Sequence, residues 1–427
     1  MRTSHIQTIA DPKAFVNQML LWSQQFKEVV FLDSNNYHQN YSSYDCILAV
    51  DAFTAIKTDE QNAFEDLKQY QQITKDWLFG YLSYDLKNDV EVLHSNNHDG
   101  LHFPDLFFFQ PKKLFLLKGN QLEVQYLKLC DDEMETDLLA INNIQHPTPN
   151  SKYLTIKQRV SKESYLVKVA KMLEHIHRGD IYEANFCMEF YAENVTINPL
   201  ETYQKLIAIS QPPFATYFKN HHNYLLCASP ERYLRKQDTT IISQPIKGTA
   251  KRFADIDLDE KAKINLEKNS KERSENIMIV DLVRNDLSHT AIKGSVAVAE
   301  LCGVYSFQQV HHMISTVVSE VENTTSPIEI LRTTFPMGSM TGAPKIAAMK
   351  IIEALEETKR GLYSGAVGYF TPSGDFDFNV VIRSILYNSS NNYLSFSVGS
   401  AITSQAIPEE EYEECLLKAK AMFEVLG

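Results

Sequence analysis

The chain has 427 residues, of which 44% are hydrophobic and 22% are charged. This composition is typical of a soluble globular protein and provides enough chain for two ordinary domains or one large α/β body. The formal net charge of −13 argues against a nucleic acid or an anionic membrane as a partner. An anionic substrate would therefore need local positive charge from Lys, Arg, a helix N-terminus or a metal ion.

The cysteines and the N-terminus indicate the compartment. The six cysteines are scattered along the chain and form no CxxC pair, so we expect reduced thiols rather than disulfides or a zinc site. The first residues, Met1-Arg2-Thr3-Ser4, lack the apolar core of a signal peptide. No apolar run has the length of a membrane span. We therefore expect a cytoplasmic protein.

Residues 1–150 are predicted to form a strand-rich N-terminal subdomain. Short apolar runs bounded by turn residues indicate strands, for example at residues 46–50 and 77–84. The runs at 106–109 and 113–117 flank Pro111 and are expected to pair with each other. The segment 145–151 contains two prolines and no periodicity, which predicts a linker. Residues 151–427 would then form the catalytic region, joined with the first part into one body.

A lysine follows the strand predicted at residues 239–243. It lies in the sequence Pro245-Ile246-Lys247-Gly248-Thr249, directly before a glycine that permits a turn or a close approach to a ligand. A lysine at the end of a strand can face water, a carboxylate or an electrophilic carbon. The residue pattern alone leaves these three alternatives open.

Two acidic helices are predicted in the second half of the chain. The first begins at Asn269 as its N-cap and carries Glu272 and Glu275 on one face. The second begins near Pro408 and carries Glu411 and Glu414. Each helix alone fits a solvated surface helix laced with charges. Together they could present Glu275 and Glu414 to one Mg²⁺, which typically takes one or two protein carboxylates.

Three further segments are candidates for binding. Residues 335–345 predict a loop that leads into a helix N-terminus, which is either an anion site or an ordinary helix entry. Residues 379–385 predict one alternating strand in which Arg383 is buried and needs a carboxylate partner. His312 precedes an apolar stretch, where a histidine is more often a hydrogen-bonded core residue than a catalyst.

Taken together, the motifs from residue 161 to the end resemble those of the chorismate-utilising enzymes, which include anthranilate, aminodeoxychorismate, isochorismate and salicylate synthases. The motifs occur in that family's order and read SPER (229–232), PIKGT (245–249), KERSENIMIVDLVRND (271–286), HHMIST (311–316), MTGAPK (340–345), GLYSGAVGY (361–369), VIRS (381–384) and EEEYEECLLKAK (409–420). A fainter match is GYLSYDL at 80–86. The resemblance implies an α/β (α+β) layered sandwich, with two large facing antiparallel sheets, helices outside and the active site between. It also implies chorismate and Mg²⁺.

The resemblance assigns roles to residues at the matching positions. It implies that Lys247 is a nucleophile that adds at ring C2, that Glu231 is the acid that assists departure of the C4 hydroxyl, and that His312 lies beside the ring. It implies that Glu275 and Glu414 bind the metal and that Glu272 and Glu411 bind its waters. The residues implied to grip the substrate's anionic groups are Thr341, Tyr363, Arg383, Gly399, Ser400 and Lys418.

The lysine in PIKGT discriminates within the family, because anthranilate synthases usually carry alanine there and aminodeoxychorismate synthase component I typically carries lysine. The resemblance therefore implies amination of chorismate to 4-amino-4-deoxychorismate, for p-aminobenzoate and folate biosynthesis. The sequence contains no Gly-x-Cys-x-Gly nucleophile elbow, so ammonia is expected from a separate glutamine amidotransferase subunit in a heterodimer.

Two alternatives compete with this assignment. One is anthranilate synthase component I, and the other is a catalytically dead ligand-sensing subunit, which the presence of Glu231, Lys247, Glu275 and Glu414 disfavours. Glu183 occupies the position where isomerising members carry a lysine base, which argues against addition of water. Residues 31–34 faintly resemble the family's tryptophan pocket, and whether tryptophan binds stays open.

Overall fold

The fold is described from a computed structural model that covers residues 1–37, 41–144, 154–308 and 310–427. Within these ranges the chain forms twenty strands and eleven α-helices. The strands are β1 (Arg2–Thr8), β2 (Glu28–Asp33), β3 (Cys46–Thr58), β4 (Leu78–Leu82), β5 (Leu106–Lys118), β6 (Gln121–Leu127), β7 (Lys157–Gln158), β8 (Glu183–Ala192), β9 (Phe214–Asn220), β10 (Asn223–Ser229), β11 (Arg232–Gln237), β12 (Thr240–Ser243), β13 (Ile246–Lys251), β14 (Ala297–Ser306), β15 (Val310–Glu320), β16 (Gly342–Ala343), β17 (Ala366–Phe370), β18 (Phe376–Val380), β19 (Ser384–Asn388) and β20 (Tyr393–Thr403).

The helices lie between these strands along the chain. They are α1 (Pro12–Trp22), α2 (Ala63–Thr74), α3 (Lys87–Val90), α4 (Met134–Asn143), α5 (Lys162–Arg178), α6 (Pro199–Ser210), α7 (Ile256–Lys268), α8 (Ser270–Ser288), α9 (Pro327–Thr334), α10 (Lys345–Leu355) and α11 (Pro408–Leu426). The predicted N-cap of the first acidic helix is confirmed, because the Asn269 side chain accepts hydrogen bonds from the backbone N–H groups of Lys271 and Glu272. No helix in the described ranges has the length and apolar character needed to cross a membrane.

The strands form one continuous antiparallel sheet with two arms that meet at the long strand β5. In the first arm the order is β1, β6, β5, β3, β2, β9, β10, β19, β20 and β8. The second arm leaves β5 through β4 and continues through β17, β18, β11, β12 and β15. Both β13 and β14 pair with β15. The predicted mixed fold with antiparallel sheets and outer helices is confirmed.

Alternation along the central strands explains why this arrangement buries two cores. In β2, Val30 packs into one hydrophobic core while its neighbours Val29 and Phe31 pack into the other. Such a strand is buried on both faces, since successive side chains point to opposite sides of a sheet. The second core lies under helices α1, α4, α5, α6, α10 and α11, which cover the outer face of the first arm.

Strands from the first 150 residues pair directly with strands from the rest of the chain. Strand β2 pairs with β9, and β4 pairs with β17. The linker predicted at residues 145–151 lies outside the described residues. The predicted pairing of 106–109 with 113–117 is wrong, because both runs belong to the single strand β5. Pro111 lies opposite Ala52, next to a shift in the register of the two strands. Proline has no backbone N–H to donate, and a bulge of this kind tolerates the missing hydrogen bond.

A buried arginine ties the second arm together next to the predicted acid Glu231. The Arg232 side chain is 1% exposed, and its Nε lies 2.9 Å from Oδ1 of Asp377 on β18. Its Nη2 donates to Asp377 Oδ2 at 3.1 Å, and its Nη1 donates to Gln244 Oε1 at 2.6 Å. The fork therefore joins β11, β18 and the connection that leads to Lys247.

We expect Arg232→Met to lower the free energy of unfolding by about 3 kcal/mol, because it removes the buried fork on Asp377 and leaves that carboxylate only the weaker pairing with Arg235, 3.9 Å away. Urea denaturation followed by circular dichroism measures this change. Arg284→Met is the matched control, because the Arg284–Asp281 pair is half exposed or more on both sides and should contribute less than about 1 kcal/mol. Equal losses in the two variants would contradict the structural role given to Arg232.

Candidate active site

One large cavity of about 820 Å³ collects most of the predicted site residues. Its walls come from α8, α11, β13, β15, β20 and the loops before β11 and β19. The predicted residues that line it are Glu231, Lys247, Glu272, Glu275, His312, Tyr363, Arg383, Gly399, Glu411, Glu414 and Lys418. The volume falls in the range of about 300–1,000 Å³ that is usual for small-molecule sites.

Lys247 lies inside strand β13 rather than at the end of β12, where the sequence had suggested it. The pairing of β13 with β15 is in register at Ile246 and again at Thr249, with a shift between them. The irregularity coincides with Gly248, whose φ is +97°, and a Cβ there would lie 3.2 Å from a carboxylate oxygen of Glu272. Glycine thus permits the bulge that turns Lys247 towards the cavity.

Lys247 could face water, a carboxylate or an electrophilic carbon, and in the structure its side chain faces a carboxylate. The Lys247 Nζ donates to Oε1 of Glu183 at 2.7 Å, and the two side chains are 11% and 1% exposed. Burial alone would lower the pKa of Lys247, but the charge and hydrogen bond of Glu183 raise it above its usual value. At rest the lysine is therefore an ammonium held in an ion pair.

Glu231 lies in the short connection between β10 and β11 and has a carboxyl group suited to proton donation. It is 5% exposed, and burial raises its pKa to about 7 although the charge of Lys247 acts in the opposite direction. A carboxyl group with this pKa is protonated in a substantial fraction of molecules near neutral pH. Such a group can act as a general acid.

His312 is a neutral histidine in the cavity wall. Burial and then the charge of Arg383 lower its pKa to about 3. Its Nδ1 lies 3.1 Å from the Thr249 hydroxyl, and its ring packs edge-on against Phe307. The neutral imidazole therefore offers a polar edge to a ligand without adding a charge.

Four glutamates from α8 and α11 face the same part of the cavity. Asn276 fixes α8 at this place, because its Nδ2 donates to the carbonyls of Lys247 and Met313. Burial raises the pKa of Glu275 to about 7, and burial together with Glu414 raises the pKa of Glu272. Glu414 differs, since burial is outweighed by Lys418, which lies 2.6 Å away and lowers its pKa.

This set of carboxylates fits a magnesium ion in part. Within the described ranges there is no ready cluster of three or more His, Cys, Asp or Glu side chains with metal-binding geometry. Glu275 has no cation within 4 Å among the described residues, so a bound cation would offset the cost of burying its charge. Glu275 with Glu414 supplies the two carboxylates that Mg²⁺ commonly takes, provided that Glu414 exchanges Lys418 for the metal.

Positive charge is concentrated in the cavity of this acidic chain. Seven Lys and Arg side chains line it against six glutamates, whereas the whole chain carries a net charge of −13. Sequence reasoning assigned no binding role to Lys251, Arg252, Lys271 or Lys420, because their spacing looks like ordinary surface charge. The local excess of cations suits a ligand with more than one negative group.

The strand predicted across residues 379–385 is wrong. Strand β18 ends at Val380 and β19 begins at Ser384, and Arg383 lies between them with a φ of +53°. The carboxylate partner expected for Arg383 is also missing among the described residues. Its guanidinium instead lines the cavity, where burial lowers its pKa. A half-buried arginine without an ion pair is a candidate for binding an anionic ligand.

Of the remaining residues predicted to bind anionic groups, some line the cavity and others do not. Lys418 lines the cavity, and its Nζ donates to the carbonyl of Gly399 at 2.8 Å. The Ser400 hydroxyl donates to Glu411, whose other oxygen lies 3.5 Å from Lys271. The Thr341 hydroxyl is fully buried and donates to carbonyls of its own loop. Thr341 and Ser400 therefore do not line the cavity, whereas the Tyr363 ring does.

A buried ion pair behind the cavity was not found from the sequence. Arg360 binds Glu356 through two hydrogen bonds of 2.6 and 2.9 Å. It also donates to the carbonyls of Met340 and Asn185, both at 2.7 Å. The pair thus braces the wall residues Met340 and Asn185. Glu356 and Arg360 are four residues apart, but the carbonyls that they brace are distant along the chain, so the sequence does not point to this role.

The segment that faintly resembles a tryptophan pocket lies elsewhere in the fold. Leu32, Asp33 and Ser34 line a separate cavity of about 60 Å³. Burial raises the pKa of Asp33 to about 6. A cavity of this size is far below the range of about 300–1,000 Å³ for ligand pockets, so an amino acid could enter only if its walls moved.

Comparisons with known proteins agree with this geometry. The chain is 32% identical to a probable chloroplastic aminodeoxychorismate synthase of Oryza sativa over 85% of its own length, but it spans only 46% of that relative. It is 31% identical to anthranilate synthase component 1 of Saccharolobus solfataricus over 95% of both chains. The crystal structure of anthranilate synthase component I from Streptococcus pneumoniae has the same fold, with a TM-score of 0.79 at 24% identity over 91% of this chain and 93% of that one. The model of the chorismate binding enzyme family matches residues 27–424, and the chain therefore belongs to that family.

Proposed function

We propose that this chain is the chorismate-aminating component of an aminodeoxychorismate synthase. It would convert chorismate and ammonia into 4-amino-4-deoxychorismate, with ammonia supplied by a glutamine amidotransferase subunit. The observation that carries the proposal is that Lys247 projects into the cavity together with the protonatable Glu231. One member of the pair can attack a ring carbon while the other protonates a leaving hydroxyl.

Different side chains of the cavity would bind different parts of chorismate. Arg383 and Lys418 provide cations for the two carboxylates of chorismate, and Tyr363 lines the same cavity. The neutral imidazole of His312 offers a polar edge to the ring. This grip orients the ring so that one face meets Lys247, which is the main contribution of binding to such a reaction.

Chemistry would proceed by a covalent exchange at Lys247. The neutral amine adds at ring C2, the double bond shifts, and the C4 hydroxyl leaves as water with the proton of Glu231. Ammonia then adds at C4, the double bond shifts back, and the bond between C2 and Lys247 breaks. The reaction exchanges a hydroxyl for an amino group, so no redox cofactor is required.

Glu275 and Glu414 would hold Mg²⁺, with Glu272 and Glu411 binding its waters. When bound, the ion supplies positive charge for the substrate's ring carboxylate. Because the chain as a whole is acidic, this charge complements that of the lysines and arginines in the cavity.

Anthranilate synthase is the competing assignment, and relatives of both kinds are about equally similar to this chain. Lys247 favours the proposal, since an amine that blocks C2 directs ammonia to C4. In its absence, ammonia itself would have access to C2. The presence of Lys247, Glu231, Glu275 and Glu414 around one cavity also disfavours a catalytically dead sensing subunit.

We expect the purified chain, given chorismate, Mg²⁺ and ammonium, to form 4-amino-4-deoxychorismate as the main product. Liquid chromatography with mass spectrometry separates this compound from anthranilate and isochorismate. Anthranilate as the main product would contradict the proposed function.

The variant Lys247→Ala tests whether this lysine is required for the same reaction. We expect it to abolish formation of 4-amino-4-deoxychorismate and to leave, at most, slow amination at C2. Lys219→Ala is the matched control, because Lys219 is another partly buried strand lysine but donates to the carbonyl of Gln24, away from the cavity. The control should retain the wild-type rate.

We expect Glu275→Gln to weaken Mg²⁺ binding at least tenfold, because a neutral amide cannot replace an anionic ligand. Isothermal titration calorimetry on the protein with chorismate present measures the affinity directly. Glu413→Gln is the control on α11, since Glu413 is 62% exposed and pairs with Lys162. Unchanged Mg²⁺ affinity in Glu275→Gln would exclude Glu275 as a ligand.

A further inference from the structure

The carboxylate that holds Lys247 is fixed by the sheet itself. Glu183 is the first residue of β8, and its backbone lies between Ala343 of β16 and Thr403 of β20. The neighbouring strand approaches so closely that a Cβ on Gly342 would lie 2.1 Å from the Glu183 carbonyl oxygen. The side chain is therefore held by a backbone with paired strands on both sides, and its Oε1 contacts Lys247.

The two oxygens of Glu183 are in unequal surroundings. Oε1 accepts the hydrogen bond from Lys247, whereas Oε2 is buried and has no hydrogen-bond partner among the described residues. Glu356 gives a contrast, because its oxygens accept from Arg360 and from the N–H of Cys187. Several donors thus share the charge of Glu356, whereas Lys247 is the single side-chain donor to Glu183 among the described residues.

Lys247 has no second acceptor at bonding distance among the described residues. The other carboxylates that face it are Glu231, Glu272, Glu275 and Glu414, and none lies within 4 Å of its Nζ. Glu414 is already paired with Lys418. Glu231 is needed in its protonated form. Of the residues that the structure describes, only Glu183 is placed to take a proton from Lys247 directly.

We propose that Glu183 is the proton acceptor that converts the Lys247 ammonium into the attacking amine. This inference rests on the proposed function. In this step one N–H bond of Lys247 breaks and an O–H bond forms on Glu183, and the freed electron pair of nitrogen forms the bond to C2. When that bond later breaks, the electron pair returns to nitrogen and the proton moves back from Glu183. Glu183 acts through Lys247 and does not touch the substrate, so it is a positioning residue.

The inference explains how a lysine with a raised pKa can serve as a nucleophile. The ion pair keeps Lys247 oriented and protonated while the cavity is empty, and the same contact removes the proton when an electrophilic carbon arrives. A glutamine in place of Glu183 could keep a hydrogen bond but could not accept a proton.

The test is Glu183→Gln in the full chain, assayed with chorismate, Mg²⁺ and ammonium across pH. We expect kcat to fall about 100-fold near pH 7, in the range usual for loss of a general base, with a much smaller change in KM for chorismate. The deficit should be confined to pH values at which Lys247 of the variant is still protonated and should disappear where the lysine is already a free amine, because no proton then has to be removed. A deficit that is constant across pH, or a wild-type kcat, would overturn the inference.

A second measurement does not depend on turnover. Acetic anhydride labelling of Lys247 in the substrate-free protein, followed by peptide mass spectrometry, reports the fraction of free amine at each pH. Loss of the carboxylate lowers the pKa of Lys247, so labelling in Glu183→Gln should begin at lower pH than in the wild type. An unchanged labelling curve would overturn the contact on which the inference depends.

Glu189→Gln is the matched control, because Glu189 is a second buried glutamate of β8 that binds Arg159 and Tyr393 away from the cavity. It should lower stability and leave the pH profile of kcat unchanged. The two proposals also fail separately. If the wild type forms anthranilate, the proposed function fails, whereas a wild type that forms 4-amino-4-deoxychorismate with a fully active Glu183→Gln overturns the role of Glu183 alone.

Discussion

The ion pair between Lys247 and Glu183 is the contact around which the cavity is organised. Both side chains are nearly removed from water, and neither charge would be tolerated there without the other. The pair joins β13 of one sheet arm to β8 of the other, so it also links the two halves of the fold across the site. The bulge at Gly248 and the close approach of Gly342 to β8 are the backbone features that make this contact possible.

Charge distribution is the second constraint on the site. The chain is acidic, yet this cavity has slightly more cationic than anionic side chains. Most of its glutamates are pushed towards protonation by burial, and Glu231 and Glu275 both have a pKa of about 7. A dianionic substrate with a divalent cation would neutralise both kinds of charge at once. No carboxylate of the described residues pairs with the guanidinium of Arg383, which is therefore available to bind an anionic group.

Much of the site could be predicted from the sequence, because its residues lie in short motifs with characteristic local structure. The first acidic helix shows this well, since an Asn N-cap predicts where α8 begins and helical spacing places Glu272 and Glu275 on one face. The family resemblance then placed Lys247, Glu231 and His312 together, although they are distant along the chain. The fold class followed from the same resemblance.

The features that could not be predicted depend on tertiary contacts. The strand proposed around Arg383 has a plausible alternation, but a left-handed residue interrupts it where the loop turns into the cavity. Likewise, Pro111 looked like a break between two strands, and only its partner Ala52 shows that it occupies a bulge. The partner of Lys247 lies 64 residues away along the chain, and the Arg360–Glu356 pair is completed by distant backbone carbonyls, so neither contact follows from local sequence spacing.

The most direct measurement of the central claim is mass spectrometry of the chain after incubation with chorismate and Mg²⁺ in the absence of ammonia. The account predicts that the peptide containing Lys247 gains the mass of chorismate less one water, and that ammonium then removes the adduct. An unmodified Lys247 in a protein that forms 4-amino-4-deoxychorismate at full rate, with any adduct absent or on another residue, would contradict it.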